Sequence, residues 1–449
     1  MQNVETDYLI IGAGAMGMAF ADELVTRSNT VRVVLVDRRA KPGGHWNDAY
    51  PFVQLHQPAS FYGVNSIPLG SGGIASASKP EILAHFDQAM EKLCATGRVT
   101  FYAEHTYEGD GRFRSLVDPQ SVHQAVVQQK IVDATHTQIQ VPSTHTPNYE
   151  VAAGVCHVPI NGLANLEKSW SQYVVIGAGK TAMDAILFLL AHEVAPERIT
   201  WIISHDCWLI NRDLLNPTLA SRTMPQQLKI FSQASDIDNL YDRLEAKNWY
   251  FRLDENIRPT RFRCATVTVE ELEALRNIPH KVRLGRVSRI DPTQIVLAEG
   301  VLPTHSDVLH INCTASGLPR RPSLPIFAED RLTLQPVHVC QPVFSAAFIA
   351  MVESKYGEER TKNALCRPVP HPDVPAHILP CILHSLQNIW EWIRPFSWWL
   401  NRSRLSLTSH FTFVGFVYAM IAGIWWMKKA IRNLERIQNM QDAHIEPSD

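Results

Sequence analysis

No two cysteines stand at C-x-x-C spacing, or at any other spacing that metal ligands or a redox dithiol use. The eight (Cys94, Cys156, Cys207, Cys264, Cys313, Cys340, Cys366 and Cys381) are scattered singly. No metal site is expected, and the scatter fits reduced thiols in a cytosolic, cytoplasmic compartment. An excess of one sign of charge is also lacking: the formal net charge is -2 and charged residues make up 19% of the chain. Nothing electrostatic therefore points to nucleic acid. The opening residues 1–7 lack a basic segment and a small-residue cleavage site, so no secretory signal is expected. There is no low-complexity tract and no internal repeat beyond the pair of units described below. What remains is an ordinary globular composition, 45% hydrophobic over 449 residues. That length predicts two or three domains, with room for large ligands between them.

Residues 8–11 form a short apolar run bounded by glycine, the pattern of a buried parallel strand. Residues 16–27 read as a helix and 31–36 as a second buried strand, which completes a β-α-β unit. The same grammar returns at 173–176, 181–192 and 199–203. Between the units, 60–78 is rich in Gly, Ser and Pro, 81–93 has helical periodicity, and 98–103, 131–134 and 138–141 read as strands. A Pro, Thr and Asn cluster at 142–149 marks a boundary loop. Residues 225–278 are polar and helical in pattern, hence a helical insertion. Residues 282–290 and 294–297 flank a hairpin-like turn, and 308–313 is one more buried strand.

The first unit carries Gly12-Ala13-Gly14-Ala15-Met16-Gly17, with Asp37 at the end of its second strand. The first glycine permits the tight turn, the second lets the backbone approach a pyrophosphate, and the third lets helix and strand pack closely. Amides at the helix start then face the phosphates, and a carboxylate about 20 residues on accepts hydrogen bonds from an adenosine ribose. The second unit carries Gly177-Ala178-Gly179-Lys180-Thr181-Ala182, with alanine in the third place. Its strand end is Ser204-His205, with no carboxylate where Asp37 stands. Nearby His205 and Arg212 favour a 2'-phosphate, hence NADPH over NADH, although Asp206 leaves the discrimination open. Lys180 is placed to neutralise a cofactor phosphate or, alternatively, is a solvated lysine at a helix start.

Directly after Asp37 comes Arg38-Arg39-Ala40-Lys41-Pro42-Gly43-Gly44-His45-Trp46, which resembles the G-G-x-W segment of flavin-containing and Baeyer-Villiger monooxygenases. The resemblance implies FAD on Gly12, Gly14, Gly17, Asp37, Arg38, Gly43, Gly44 and Trp46, and NADPH on Gly177, Gly179, Lys180, Thr181, Ala182, His205 and Arg212. It also implies an α/β fold of two Rossmann-like domains, the NAD(P) domain inserted into the FAD domain. The expected partition is 1–168 and 305–370 for the FAD domain, 169–304 for the NAD(P) domain with its helical insertion, and 371–449 for a helical C-terminal extension. Residues 312–317 are similar to the segment that re-enters the FAD domain in such proteins, and 343–353 stand where a helix closes over the flavin. The F-x-G-x-x-x-H fingerprint of those families is absent: Tyr149, Gly154 and His157 stand in that region.

A flavin carries its own redox chemistry, so no catalytic triad is expected. His56 and Gln57, in the loop after the first unit, are the candidates for contact with flavin or substrate; the alternative is a structural histidine in an aromatic loop. A dithiol flavoenzyme needs two cysteines together beside the flavin, and their scatter in sequence argues against one. The expected function is an NADPH-using, FAD-dependent monooxygenase acting on a small-molecule substrate. The alternatives are a reductase passing electrons to a quinone or protein acceptor, and a non-catalytic dinucleotide sensor or scaffold. Near the C-terminus, 411–427 is apolar nearly all round and is followed by Lys428-Lys429, while 390–405 sets Trp392, Trp398 and Trp399 beside Arg394, Arg402 and Arg404. Packing on the body, lying on a membrane surface and spanning it are all open for residues 390–427.

Overall fold

The computed structural model describes residues 2–70, 75–315, 317 and 321–445. Residues 71–74 of the Gly/Ser/Pro stretch, Ser316 of the 312–317 segment and Met1 lie outside the described residues.

The first β-α-β unit consists of strand Gln2–Ile11, helix Ala15–Arg27 and strand Val33–Val36. Leu9, Ile10 and all of Val33–Val36 are buried, as a parallel strand covered on both faces requires. Val99–Tyr102 extends the sheet beyond Val33–Val36, and Val122–Asp133 lies parallel on the other side of Gln2–Ile11. The strands Arg112–Ser115 and His105–Gly109 complete that edge in antiparallel fashion. Helix Lys79–Ala95 forms where the periodicity of 81–93 indicated, started by a Ser78–Glu81 capping box. The expected strand at 131–134 is the end of Val122–Asp133, whereas 138–141 is not a strand.

The second unit consists of Gln172–Ile176, helix Lys180–Ala191 and Ile199–Ile202, the core of a five-stranded parallel sheet. Its order runs from His280–Val282 through Ile199–Ile202, Gln172–Ile176 and Val308–Asn312 to His157–Pro159. Two expected boundaries are corrected here. Val308–Asn312, expected from 305 onward as the return to the first domain, is buried at every position and sits inside the second sheet. His157–Pro159, expected in the first part, also pairs there. The chain regains the first sheet only at Arg331–Thr333, beside Val122–Asp133. A strand buried at every position reads the same in either sheet, which is why sequence pattern misplaced it.

The insertion is not wholly helical. Helices Ala220–Gln233, Ile237–Glu245 and Val269–Arg276 accompany a three-stranded sheet of Tyr250–Phe251, Cys207–Asn211 and Arg261–Val267. The expected hairpin is Val287–Ile290 against Gln294–Leu297.

Helix Pro342–Lys355, buried along most of its length, packs against Ala15–Arg27. Beneath it a buried ionic chain links the Tyr8 hydroxyl to Glu353 (3.1 Å), Glu353 to Lys362 (2.7 Å), and Lys362 and Lys130 to Glu359. The extension comprises Ile378–Trp392, Ser397–Arg402 and the terminal helix Phe413–Ile445. The segment 390–405 packs on the body along one face and leaves Trp390, Arg394, Trp398 and Arg402 exposed. Trp392, Trp399 and Leu405 are buried, Trp399 Nε1 donates to Glu23, and the Arg404 guanidinium donates to the carbonyls of Ser60, Tyr62 and Val64. The terminal helix buries Ala419, Met427, Ala430, Leu434 and Ile437 but leaves Phe413, Val414, Ile421 and Trp425 largely exposed. By length and composition alone it is long and apolar enough to cross a membrane.

Candidate functional site

The carboxyl ends of the parallel strands of both sheets open into one cavity of about 1610 Å³, the place where open α/β sheets take ligands. On the first side, Gly12 turns the chain at φ +100°, which a side chain would resist. A Cβ on Gly17 would lie 2.0 Å from the Gly12 carbonyl oxygen, so only glycine lets the helix start this close to the strand. Gly14 N-caps the helix and lines the cavity, with no side chain occupying the cap.

Gly43 and Gly44 open the short turn Gly44–Asn47, which crosses against the glycine loop. A Cβ on Gly44 would lie 2.9 Å from Gly14 Cα. Trp46 is buried behind this turn and donates through Nε1 to the Tyr62 hydroxyl at 2.7 Å. Asp37 accepts from the amides of Ala13 (2.7 Å) and Arg39 (2.8 Å), which fixes its carboxylate at the strand end on the cavity wall. Arg38 lies exposed on the rim. Bare amides at a helix start, a backbone cradle that any Cβ would crowd and a fixed carboxylate suit a dinucleotide's pyrophosphate and ribose.

On the second side, Gly177 packs against the Cys313 carbonyl, and Gly179 N-caps Lys180–Ala191 with open space around it. Thr181 lines the cavity, while Ala182 is fully buried beneath it. Lys180 lines the cavity beside Gly179 and is ion-paired with Asp184 in a part-buried contact that the Tyr50 hydroxyl joins. Burial, with Asp184 beside it, pushes the Tyr50 phenol well above its usual pKa.

At the strand end, Ser204 and His205 line the cavity. Asp206, the residue that blurred cofactor choice, is turned away in a two-bond ion pair with Arg283 (2.8 and 3.0 Å). Arg212 is corrected: it pairs with Glu271 and does not line the cavity. Its place as the cation near the strand end is taken by Arg261, Arg263 and Arg286, all on the cavity wall. Arg261 and Arg263 share Asp373, whereas Arg286 is exposed and has no ion pair among the described residues. Burial, then Arg261, Arg286 and Arg263, hold the His205 imidazole below its ordinary pKa. Sequence reasoning missed these arginines because Arg286 follows a neighbouring strand, while Arg261 and Arg263 lie on Arg261–Val267 of the separate three-stranded sheet. The available signal was Arg283-Leu284-Gly285-Arg286 directly after His280–Val282, the strand beside Ile199–Ile202.

Between the two glycine turns lie His56 and Gln57. The His56 carbonyl accepts from Thr266, and Gln57 accepts from Gln341 (2.9 Å), the N-cap of Pro342–Lys355. Burial, followed by Lys180, lowers the His56 pKa to about 4, and burial alone does the same for His338 on the same wall. His338 Nδ1 is buried without a hydrogen-bond partner among the described residues, and no motif in the sequence marked it.

One argument from sequence is overturned here. Cys264 and Cys340, 76 positions apart, are disulfide-bonded in the cavity wall, next to Gln341. The exclusion of a cysteine pair beside the cavity does not hold for these two residues. Scatter in sequence says nothing about proximity in a fold that returns to its first sheet.

A family model described as an NAD(P)-binding Rossmann-like domain matches residues 10–61. The uncharacterized protein Rv2000 of Mycobacterium tuberculosis is 45% identical over 427 residues, covering 90% of this chain and 78% of its own length; Mb2023 of Mycobacterium bovis matches equally. Among solved structures, the polycyclic ketone monooxygenase of Thermothelomyces thermophila aligns with a TM-score of 0.53 at 13% identity, over 98% of this chain and 88% of its own. OTEMO, in complex with FAD and NADP, aligns with a TM-score of 0.51 at 15% identity, over 78% of this chain and 84% of its own. The shared fold is thus the two-dinucleotide-domain architecture, with a C-terminal helix added.

Proposed function

The chain belongs to the family of the mycobacterial protein Rv2000, and from that premise we propose that it is an FAD-dependent, NADPH-using monooxygenase of a small organic substrate. The observation that carries this reading is the single cavity, which joins the Gly12–Gly14 turn, the Gly177–Gly179 turn and an apolar arm between the insertion and the C-terminal helices. Support comes also from the fold shared with OTEMO, a protein solved with FAD and NADP.

FAD is held by Gly12, Gly14, Gly17, Asp37, Arg38, Gly43, Gly44 and Trp46. The glycine turn alone serves any dinucleotide; the crossing of Gly44 over Gly14 favours FAD there. NADPH is held by Gly177, Gly179, Thr181 and Ala182, with His205 and Arg286 toward the 2'-phosphate and Arg212 no longer included. The FAD domain is proposed as the first sheet with its return at Arg331–Thr333.

Bound flavin supplies the two-electron chemistry and the reaction with oxygen. The residues around it orient and exclude water. His56 and His338, held neutral, offer hydrogen bonds without charge. The Lys180–Asp184 pair places a compensated charge beside Gly179, and the apolar walls keep the junction dry. Oxygen uptake by FAD-loaded protein with NADPH tests the reading: uptake coupled one-to-one to a product containing one added oxygen atom supports it, and stoichiometric peroxide without product, across a substrate panel, contradicts it.

The disulfide in the cavity wall favours a second reading, electron transfer onward to a thiol or protein acceptor. Two electrons and two protons convert Cys264–Cys340 into two thiols. The test is anaerobic: free thiols appearing on NADPH addition favour this reading over oxygenation. We also propose that the protein is cytoplasmic and touches a membrane through the outer face of the terminal helix.

A further inference from the structure

The terminal helix Phe413–Ile445 runs alongside Ala220–Gln233, with Gly415 against Ser221 and the Asn433 side chain donating to the carbonyls of Phe231 and Ala234 (2.9 and 2.8 Å). One stripe of the helix is sealed by this packing. The opposite stripe changes chemistry along its length. Phe413, Val414, Ile421 and Trp425 are 82, 77, 73 and 62% exposed, and the same stripe continues as Lys428, Lys429, Arg432 and Arg436, all exposed. Lys429 Nζ sits 4.2 Å above the Trp425 ring, at the junction of the two halves. The only acid in 411–440 is Glu435, which is tied to Gln387.

A contiguous apolar face of this kind does not persist uncovered in water. The helix as a whole is long and apolar enough to cross a membrane, but the apolar half of its exposed stripe is about 20 Å long at 1.5 Å per residue, short of the roughly 30 Å of a bilayer core. An apolar run, an aromatic at the boundary and then a basic run match an anionic bilayer surface entered obliquely.

The same helix borders the cavity from within. Met427, on its sealed stripe, lines the cavity together with Leu214, Leu228, Phe231, Ile382 and Leu386. This apolar arm reaches Ala220, Thr223 and Leu407, where the exposed face begins. Leu219, beside Ala220, is exposed, and Leu407 opens the turn that leads into Phe413. The other end of the cavity is polar, at Tyr50, His56, Gln57 and Gln341. The arm and the exposed face therefore meet at one end of two paired helices.

We propose that the substrate is a lipid-soluble molecule with an apolar body and one polar group, taken from an anionic membrane on which the terminal helix rests. The polar group faces His56 and Gln57, and the apolar body fills the arm. The inference rests on the monooxygenase reading only for what happens to the substrate, not for its binding.

FAD-loaded protein is tested in two assays: co-sedimentation with vesicles of phosphatidylglycerol and phosphatidylcholine or of phosphatidylcholine alone, and the rise in Tm given by 2-dodecanone compared with 2-butanone. The parent is expected to sediment with the anionic vesicles and to gain Tm from the long ketone only. Ile421→Glu and Trp425→Glu should each cut sedimentation at least tenfold and leave the ketone shift unchanged. Thr223→Trp, at the mouth, and Ala220→Trp, inside it, should abolish the ketone shift and leave sedimentation intact. The inference is overturned if the parent stays in solution, if it instead forms dimers that Ile421→Glu dissolves, if the short ketone stabilises equally, or if both mouth variants keep the full shift. Colourless protein that still sediments and still binds the long ketone would mark failure of the flavin reading and leave the membrane inference standing.

Discussion

Gly17 and Ala182 occupy the same place in two β-α-β units, yet one tolerates no side chain and the other carries one. In the first unit a Cβ would strike the Gly12 carbonyl oxygen at 2.0 Å, while in the second the alanine methyl is fully buried without displacing the turn. The strand ends differ as well. Asp37 is pinned by two backbone amides, whereas Ser204 stands among His205, Arg261, Arg263 and Arg286. In the proposed reading, one strand end presents an acceptor for a free ribose and the other presents cations for a phosphorylated ribose. The glycine turn confers dinucleotide binding, and the strand end selects which dinucleotide.

The sharpest way to break the comparison is to exchange the third residues. Gly17→Ala should destabilise the protein by at least the roughly 1–3 kcal/mol typical of overpacking and yield protein without flavin colour, whereas Ala182→Gly should cost only about 1 kcal/mol and keep the colour. Thermal unfolding and the absorbance spectrum check both. Next in size, a Cβ on Gly179 would meet no protein atom within 4 Å, so Gly179→Val should fold and hold FAD while NADPH-driven reduction falls about a hundredfold, a little under 3 kcal/mol. Full-speed reduction in anaerobic stopped flow would remove the nicotinamide site from the second turn.

Asp37→Asn keeps the shape of the first strand end but loses a charged acceptor. FAD affinity measured by titration of stripped protein should fall by the tenfold or more that about 1.5–3 kcal/mol implies. On the other side, Ser204→Asp or Arg286→Ala should shift the NADPH-to-NADH ratio of reduction rates toward NADH by about tenfold; an unchanged ratio would mean that neither residue meets the 2'-phosphate.

The smallest effect concerns pH. The folded His56 pKa lies near 4 against an ordinary 6.5. Between those values the unfolded chain binds more protons, so this residue's contribution is full above about pH 6.5 and is lost as pH falls toward 4. His56→Gln should flatten the decline of Tm across that window, and an unchanged slope would mean that His56 is not held neutral.

The sequence made both β-α-β units legible because buried parallel strands and glycine turns are local patterns. Asp37, Gly44 and Trp46, which it singled out within a short stretch of chain, all line the cavity. What it missed depends on long-range return. Val308–Asn312 has the same apolar pattern whichever sheet receives it, Arg286 reaches the cavity from a neighbouring strand, and Cys264 meets Cys340 only because the insertion folds back on the first domain. What the sequence pattern did not show for Lys180 and Arg212 is the carboxylate that each pairs with, Asp184 and Glu271.

The most direct test of two dinucleotide sites with different ligands is the visible spectrum of purified protein under anaerobic titration with NADPH and then NADH. The account expects one bound FAD per chain, bleached completely by one equivalent of NADPH and more slowly by NADH. Protein that takes up no FAD when saturated with it, or that stays yellow with excess NADPH, would contradict the account.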